Sequence, residues 1–451
     1  MVFEDHFHEA SPSFLSEVYE ATDYGRVRSG FLQLLEKQDV RYEQGMDVMP
    51  TSFIPRIIPA RYLRVIHQVA RALTQAQLNL LFHPELSDLL NLPGLNRLLI
   101  ENLRIMNKTP ARIVGGARYD FAIEGELTEN NPPQLLEINN LDYGGIGWVP
   151  FTNRALLHSV PGLRDHVKNI DLDLLIAHNF SKLGKRVLMI VAGEETHSDY
   201  QIFAQGVRNY GLDIKLVNDT VFQRKLQDGK VSLSPKGVVY CGEKYDFIYL
   251  RTFSINAEVL EFSDAISELI ASRVPMYDSF HALLLENKGL LGLLNRDLLT
   301  RIASPEDAEL LEKAIPQTRT LTQGMIDDLC LDGTRNNYVL KKKDGHMGEY
   351  VLFGDEIVSQ ITLPGFDRSD WCLQKRLKLN TLDVDPVPSG PRRGIVDLAV
   401  YVCFDYDSTR PVSNRLRDFY IASLFTRCSG DKLKVNVAQG GCVVPVFVLR
   451  R

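Results

Sequence analysis

Two short stretches of the sequence combine acidic, amide and arginine side chains at a spacing that suits metal and anion binding. Arg118 and Asp120 lie two residues apart in ARYDF, and Glu137 and Asn139 lie two residues apart in QLLEIN. In a β-strand, residues i and i+2 face the same side. If the two stretches pair as a hairpin, Asp120, Glu137 and Asn139 share one wall with Arg118. Oxygen ligands of this kind suit Mg²⁺, which commonly keeps waters and substrate phosphates as its other ligands.

Each pair alone favours an ordinary hairpin whose polar side chains face solvent. The two pairs together favour a site, because a glycine cluster follows them at Gly144, Gly145 and Gly147. Glycine has no Cβ, so a ligand or a loop can approach the backbone closely at such positions. A glycosidase that uses Asp120 and Glu137 as paired carboxylates is the weakest alternative, since it leaves the lysine-bearing stretches further along the chain without a role.

Those stretches place lysines beside glycines. In YVLKKKDGHMGEYVLFG, a predicted strand delivers Lys341, and the loop after it contains Gly345 and Gly348. Backbone N–H groups of such a loop can cover phosphates, while the lysine supplies a point charge. The stretch does not match the P-loop pattern, and its lysines could instead be a solvated strand edge. In ENKGLL, Lys288 is predicted near a helix start, where the dipole opposes a cation unless an anion lies nearby.

Hydrophobic spacing predicts the elements that must position these residues. The first hundred residues should be largely helical, with apolar residues at helical spacing from Tyr62 to Leu73. Residues 111–126 and 133–140 are predicted strands joined by a turn-rich connection, which would form a β-hairpin. Apolar runs typical of strands return after residue 338 and close the chain at 434–449.

A small α/β unit is predicted between the hairpin and the lysine-bearing stretches. Strand-like runs occur at 184–193, 212–219 and 245–251, and a helix that should end at Gly211 separates the first two. Alternation of this kind favours a parallel sheet. A single leucine-rich helix is predicted to follow over residues 280–299.

The bulk composition is ordinary for a globular protein. The chain has 451 residues, 45% of them hydrophobic and 24% charged, and a formal net charge of −6, so neither nucleic acid nor a membrane is expected as its main partner. Six cysteines form no CxxC pair, and the first residues lack a signal-peptide pattern, so a reduced, cytoplasmic protein is expected. The basic portion after Trp371 suits an anionic ligand or a solvated face.

Taken as a set, these motifs resemble those of circularly permuted ATP-grasp ligases of the glutathione synthetase and glutathionylspermidine synthetase type. The resemblance rests on VGGARYDF with QLLEINNLDYGGIG, on ENKGLL, on the lysine-and-glycine stretch and on NVAQGGCVVPVFVL, and it covers roughly residues 110–451 in order. In ordinary ATP-grasp enzymes the acidic metal strands follow the glycine-rich lid. Here they precede it, as in the permuted form.

The resemblance implies an α+β fold with a circularly permuted ATP-grasp core, an inserted small α/β domain and a helical N-terminal region. The implied divisions are a helical region at 1–108, the metal and substrate hairpin at 109–180, the small α/β domain at 181–280, and the nucleotide-binding portion with its lid at 281–451. Two features depart from the family pattern. The lid has only two glycines, and the hinge reads Gln374-Lys375-Arg376, where an acid that faces the ribose is common.

The resemblance also implies roles for individual residues. Asp120, Glu137 and Asn139 would hold Mg²⁺. Arg118 would bind the acceptor carboxylate, and Arg427 would guard the reacting end. The residues that would bind ATP through their side chains or backbone are Lys288, Lys341, Gly345, Gly348, Gln374, Lys375 and Leu377.

The implied activity is an ATP- and Mg²⁺-dependent ligase that joins a carboxylate to an amine through an acyl phosphate and releases ADP. Its substrates would be small molecules or peptides, and a homodimer is left open. The alternative is a regulatory protein that binds ATP without catalysis. No cysteine nucleophile is needed in this chemistry, so Cys442 is expected to be a small buried residue.

Overall fold

The computed structural model describes residues 12–41, 47–83, 112–140, 144–192, 197–251, 263–278, 285–331, 333–343, 350–430, 435, 437 and 440–450. Helices pack against several separate sheets, so the expected α+β class is confirmed. The division into the four predicted ranges stays a prediction, and the central sheet described next draws strands from three of them.

The central sheet carries the predicted hairpin. Strands Arg112–Ala122 and Gln134–Asn139 pair antiparallel at one end of this sheet, as expected. Along its main path the strands follow the order Pro386–Val387, Thr51–Ser52, Cys442–Leu449, Leu416–Ser429, Leu398–Asp407, Arg112–Ala122 and Gln134–Asn139. Strands beside this path are Arg56–Ile58, Val167–Lys168, Asn380–Val384 and Arg392–Val396.

The N-terminal region is largely helical, as predicted, but it also contributes strands. Its helices are Pro12–Glu20, Tyr24–Lys37 and Ala60–Leu81. The short strands Thr51–Ser52 and Arg56–Ile58 both run parallel to Cys442–Leu449, which ties this region to the C-terminal strand. The rest of the first hundred residues, from residue 84 onward, lies outside the described residues.

The predicted α/β unit with a parallel sheet is confirmed. Its sheet has the order Met276–Tyr277, Phe247–Arg251, Arg186–Val191 and Asp213–Asn218, with every pair parallel. The run Arg186–Val191 is almost wholly apolar and buried because helices cover both faces of such a sheet. The helix of the unit ends at Arg208, and Gly211 closes the following turn at φ 82°. An antiparallel meander of Val231–Ser234, Gly237–Tyr240 and Glu243–Tyr245 adjoins it.

The single helix predicted over 280–299 is wrong in the part that the structure describes. Two short helices, Leu290–Leu293 and Arg296–Ile302, replace it. The break occurs at Asn295, whose side chain accepts a hydrogen bond from the N–H of Leu298 and so caps the second helix. Asparagine competes with helical hydrogen bonding in this way and favours helix starts over helix interiors.

A second antiparallel sheet, here called the small antiparallel sheet, carries Lys341. Its strand order is Thr318–Thr320, Trp371–Lys375, Tyr338–Lys342 and Val351–Phe353. The remaining α-helices and 3-10 helices are Trp148–Ser159, Leu163–His166, Leu172–Phe180, Asp219–Gln227, Ser263–Ser272, Pro305–Ala314, Gln323–Leu331, Gly333–Asn337, Asp355–Ile361, Arg368–Asp370 and Val412–Asn414. Among the described residues, no helix has the length and apolar character required to cross a membrane.

Asp173 is a buried acid at the contact between two helices of the α/β unit. One of its oxygens accepts a hydrogen bond of 2.6 Å from Arg154, while the other has no hydrogen-bond partner in the described structure. Gly206 of the facing helix packs so closely that a Cβ there would lie 2.4 Å from the carboxylate. Burial raises the pKa of Asp173 to about 6, and Arg154 opposes this shift only in part.

This shift predicts how stability depends on pH. A carboxyl whose pKa is higher in the folded state destabilises the fold as pH rises from its unfolded value, near 4, through its folded value. Between pH 4.5 and pH 7.5, ionisation of Asp173 should lower the unfolding free energy of the parent protein by about 2 kcal/mol. Asp173→Asn should remove this loss. Denaturant unfolding at both pH values measures this change. An equal pH dependence in the variant and the parent protein would contradict the prediction.

Candidate active site

The hairpin brings its two predicted pairs into direct contact. Arg118 lies opposite Asn139, and Asp120 lies opposite Glu137. The guanidinium of Arg118 donates two hydrogen bonds to the carboxylate of Asp120, at 2.8 and 3.0 Å. Asn139 donates a third, at 3.2 Å. The expectation that these side chains share one face is therefore confirmed.

Arg427 joins this group from the strand Leu416–Ser429. Its Nη2 donates to Asp120 at 2.7 Å and also contacts Asp397. Asp397 holds Arg427 at two further points, since it accepts from Nε at 2.8 Å and from the backbone N–H at 2.9 Å. Behind it, the buried Arg56 donates to the backbone carbonyl of Asp397 and to the hydroxyl of Thr426. Two arginines and two carboxylates thus form one network, here called the arginine–aspartate network, of Arg118, Asp120, Asp397 and Arg427.

The arginine–aspartate network is almost closed to solvent. Asp120 is 0% and Asp397 1% exposed, while Arg118 is 8% exposed. Burial raises the pKa of Asp397, and the Arg427 guanidinium opposes that shift only in part. Burial lowers the pKa of Arg427, but the two carboxylates outweigh it and leave the pKa raised. Arg427 is therefore held as a cation at the boundary of the network.

On the same face as Asp120 and Asn139, the carboxylate of Glu137 lies toward two lysines. Lys288 Nζ lies 3.1 Å from its Oε1, and Lys341 Nζ donates to the neighbouring carbonyl of Leu136 at 2.8 Å. Burial alone would raise the pKa of Glu137, but Lys288, Lys341 and the two site arginines lower it to about 2. Burial lowers the pKa of Lys341, and Glu137 offsets this in part. Lys288 lies just before the helix Leu290–Leu293, where the helix dipole opposes a cation. Glu137 is the anion that offsets this unfavourable position.

A cavity of about 580 Å³ lies beside these groups. It falls within the range of typical small-molecule sites. Glu137 and Arg427 line it from strands of the central sheet, and Asp397 lies between two such strands. Lys288 lines it from the helix start, and Lys341 lines it from the small antiparallel sheet. The segment 374–379, here called the hinge segment, lines it from the small antiparallel sheet. Outside the hinge segment, six apolar residues also line it: Leu136, Val339, Val351, Phe353, Ile395 and Val435.

The donors decide which residues fit a magnesium ion. Glu137 offers a carboxylate that lines the cavity, and Asn139 offers an amide oxygen on the same strand face. Two such ligands fit a Mg²⁺ whose other ligands are phosphates and waters. Asp120 does not fit as a third, because its oxygens already accept four hydrogen bonds from Arg118, Arg427 and Asn139. Among the described residues, no three acidic, histidine or cysteine side chains converge as a metal group.

The glycine cluster serves the packing of the chain itself. A Cβ on Gly147 would lie 2.1 Å from the backbone oxygen of Asp199, so this glycine is required by a facing helix, and no ligand is needed to explain it. The Asp199 carboxylate accepts hydrogen bonds from the N–H groups of Gly145, Gly147 and Trp148. The carbonyl of Gly144 accepts from Arg118 at 3.3 Å. The cluster therefore fixes the loop that supports the site arginine.

The structure places most of the predicted site residues together. Lys288, Lys341, Glu137 and Arg427 share the cavity with Gln374, Lys375 and Leu377, while Arg118 and Asp120 lie in the network behind it. Gly345 and Gly348 lie outside the described residues. Cys442 is fully buried, as expected.

Sequence reasoning missed several residues. Asp397 belongs to the arginine–aspartate network, and Arg56 donates to the backbone carbonyl of Asp397 from behind it. Asn336 and Asn337 line the cavity. An acid between two apolar strands, in IVDLAV, was the one available signal for Asp397, because a charge at such a position requires a partner.

Comparisons with known proteins give a structural relative only. No protein-family model and no curated protein matches the sequence. The fold is similar to that of a glutathione synthetase-like effector from Globodera pallida, solved in its apo form. The TM-score is 0.67 at 12% sequence identity, over 98% of each chain. At this level of identity the likeness establishes a shared fold.

The two acids of the hairpin, Asp120 and Glu137, should contribute differently to stability. Asp120→Asn leaves Arg118 and Arg427 buried beside a neutral amide, so unfolding free energy should fall by about 3–5 kcal/mol. Glu137→Gln affects a side chain that is 24% exposed and lines the cavity. It should cost less, about 1.5–3 kcal/mol, because it removes a charge-assisted contact at a site that solvent reaches. Urea unfolding of both variants provides the measurement, and equal losses would show that Asp120 does not hold the network together.

Proposed function

We propose that this chain is an ATP- and Mg²⁺-dependent carboxylate–amine ligase with a circularly permuted ATP-grasp fold. One observation carries the proposal. A single cavity collects Lys288, Lys341, Glu137 and Arg427 and is bounded opposite them by the hinge segment. The motifs that resemble those of permuted ATP-grasp ligases supply these residues, and the fold shared with a glutathione synthetase-like protein supports the same assignment.

In this proposal ATP lies along the cavity. Its terminal phosphates sit at Lys288 and Lys341, which lie beside the Glu137 carboxylate and the carbonyl of Leu136. Its base lies against the hinge segment, where backbone groups can reach the base edge and Val339, Val351 and Phe353 offer an apolar surface to its faces. Bound Mg²⁺, held by Glu137 and Asn139, would neutralise phosphate charge.

The proposed reaction has two displacements. A substrate carboxylate oxygen attacks the γ-phosphorus of ATP and ADP leaves, which gives an acyl phosphate. An amine nitrogen then attacks the acyl carbon, releases a proton and expels orthophosphate, so that a C–N bond replaces the C–O bond. The chain contributes position and charge, since the lysines hold the phosphates and Arg427, backed by Arg118, holds the acceptor carboxylate.

A second candidate function is nucleotide binding without ligation. The observation that favours it is the enclosure of Asp120, whose oxygens are occupied by arginines and an amide. Glu137 is also paired with Lys288, so a metal ion must displace that lysine or share the carboxylate with it. Saturable ATP binding, with no ADP release across candidate acids and amines, would favour this alternative over ligation.

The two cavity lysines generate a binding prediction. Lys288→Ala and Lys341→Ala should each weaken ATP affinity by roughly 10- to 100-fold, since each removes a charge-assisted contact of about 1.5–3 kcal/mol. Isothermal titration calorimetry provides the measurement. Lys342→Ala is the matched control, because Lys342 neighbours Lys341 on the same strand and its Nζ lies over the ring of Tyr350. Equal ATP affinity in all three variants would show that the nucleotide is misplaced.

The reaction products provide a separate prediction. An acyl-phosphate route releases ADP and orthophosphate, whereas an adenylating route releases AMP and pyrophosphate. We expect the first, because Lys288, Lys341 and Glu137 converge where the terminal phosphates would lie. Phosphorus NMR of a reaction with active substrates distinguishes the routes, and Glu137→Gln should remove most turnover. AMP with pyrophosphate as primary products would overturn the roles given to these residues.

A further inference from the structure

We propose that the hinge segment forms a second anion subsite, which selects an adenine nucleotide phosphorylated on its ribose as well as at the 5′ position. The inference rests on the proposed function, since it takes the base to lie at the hinge segment. It concerns the basic residues of the hinge segment, Lys375, Arg376 and Lys378, which line the cavity. Strand register turns the Lys375 side chain to the face of the sheet opposite Lys341, so Arg376 and Lys378 supply the charge.

The charge of the cavity is strongly one-sided. Six basic residues line it against two acidic ones, Glu137 and Asp397. Both acids are engaged elsewhere, by Lys288 and by Arg427. Within the part of the chain that the structure describes, no ion pair joins a carboxylate to any of the three hinge cations. The hinge end of the cavity therefore presents positive charge that no carboxylate of the described residues pairs with.

The hinge cations are separate from the phosphate end. Strand register places Lys341 opposite Cys372 and Tyr338 opposite Lys375. The two lysines are thus three residues apart along the paired strands, or about 10 Å. A triphosphate held at Lys288 and Lys341 would therefore lie at the other end of the cavity. The hinge cations are therefore available to another anionic group of the same ligand.

Arg376 is held in a defined position. Its backbone N–H donates to the carbonyl of Asn337 at 2.8 Å, and its guanidinium donates to that of Asn336 at 3.4 Å. The guanidinium carbon also lies 5.6 Å from the ring centre of Phe353. A guanidinium fixed in this way keeps donors free for the bidentate hydrogen bonds that phosphate accepts.

The chemistry of the ribose then identifies the ligand class. Free ribose hydroxyls are hydrogen-bond donors as well as acceptors and are served well by a carboxylate. The hinge segment, Gln-Lys-Arg-Leu-Lys-Leu, contains no acid and offers only cationic and amide side chains. A phosphate on the 2′ or 3′ oxygen is an acceptor with about two negative charges and satisfies these donors directly.

Three isomeric probes test the inference. 5′-ADP, 2′,5′-ADP and 3′,5′-ADP carry two phosphates each and differ only in where the second phosphate lies. Calorimetry should give at least one ribose-phosphorylated isomer an affinity about 10-fold above that of 5′-AMP. The double variant Arg376→Gln/Lys378→Gln should abolish this ratio but retain the ratio of 5′-ADP to 5′-AMP. Lys215→Gln/Lys236→Gln, at two exposed lysines outside the cavity, is the charge-matched control and should retain both.

The outcomes separate this inference from the proposed function. ATP binding with no gain from a ribose phosphate, or a gain that survives in the hinge double variant, overturns the subsite and leaves the proposed function intact. Absence of binding by ATP and by all four probes overturns both. Lys378→Gln alone, at an exposed position, provides a second variant if the double variant fails to fold, and the ratio should fall in it by several-fold.

Discussion

The enclosed carboxylate of Asp120 holds together side chains from three strands of the central sheet. Arg118 shares its strand, Asn139 comes from the hairpin partner, and Arg427 comes from Leu416–Ser429. Without this charge, two guanidinium groups would face each other away from solvent, and buried like charges are strongly unfavourable. Asp120 therefore fixes where both arginines present their remaining donors, and the geometry of the cavity wall follows from it.

The buried acids and the partly exposed acid of the site have different roles. Acids that are fully buried, Asp120 and Asp397, are used to orient arginines, whereas Glu137, which is partly exposed, balances the lysines of the cavity. A ligand that brings its own negative charge would compete with Glu137 for Lys288 and Lys341. Charge would then be exchanged between groups already in place, which costs less than desolvating new ions.

Local sequence pattern was sufficient for the parts of the site that depend on strand geometry. The i, i+2 pairs of the hairpin and the position of Lys288 before a helix could be read directly, because both follow from backbone periodicity. Asp397 and Arg427 are 30 residues apart and meet only through the pairing of their strands. The spacing of residues in the sequence could not identify Asp397 as the partner of Arg427. It also could not show that Gly147 is required for packing against a helix. The single helix predicted over residues 280–299 was wrong, because Asn295 interrupts a stretch that is otherwise rich in leucine.

The strand Cys442–Leu449 lies inside the central sheet although it comes late in the sequence. It pairs in parallel with Thr51–Ser52 and Arg56–Ile58, across almost the whole chain, and antiparallel with Leu416–Ser429. Contacts between such distant segments form slowly, because the entropy of closing the intervening chain must be lost first. During synthesis the N-terminal strands must therefore wait for a late partner. The sheet that holds Asp120 beside Arg427 is completed after translation has passed the last strand, so the N-terminal part cannot acquire its sheet contacts first.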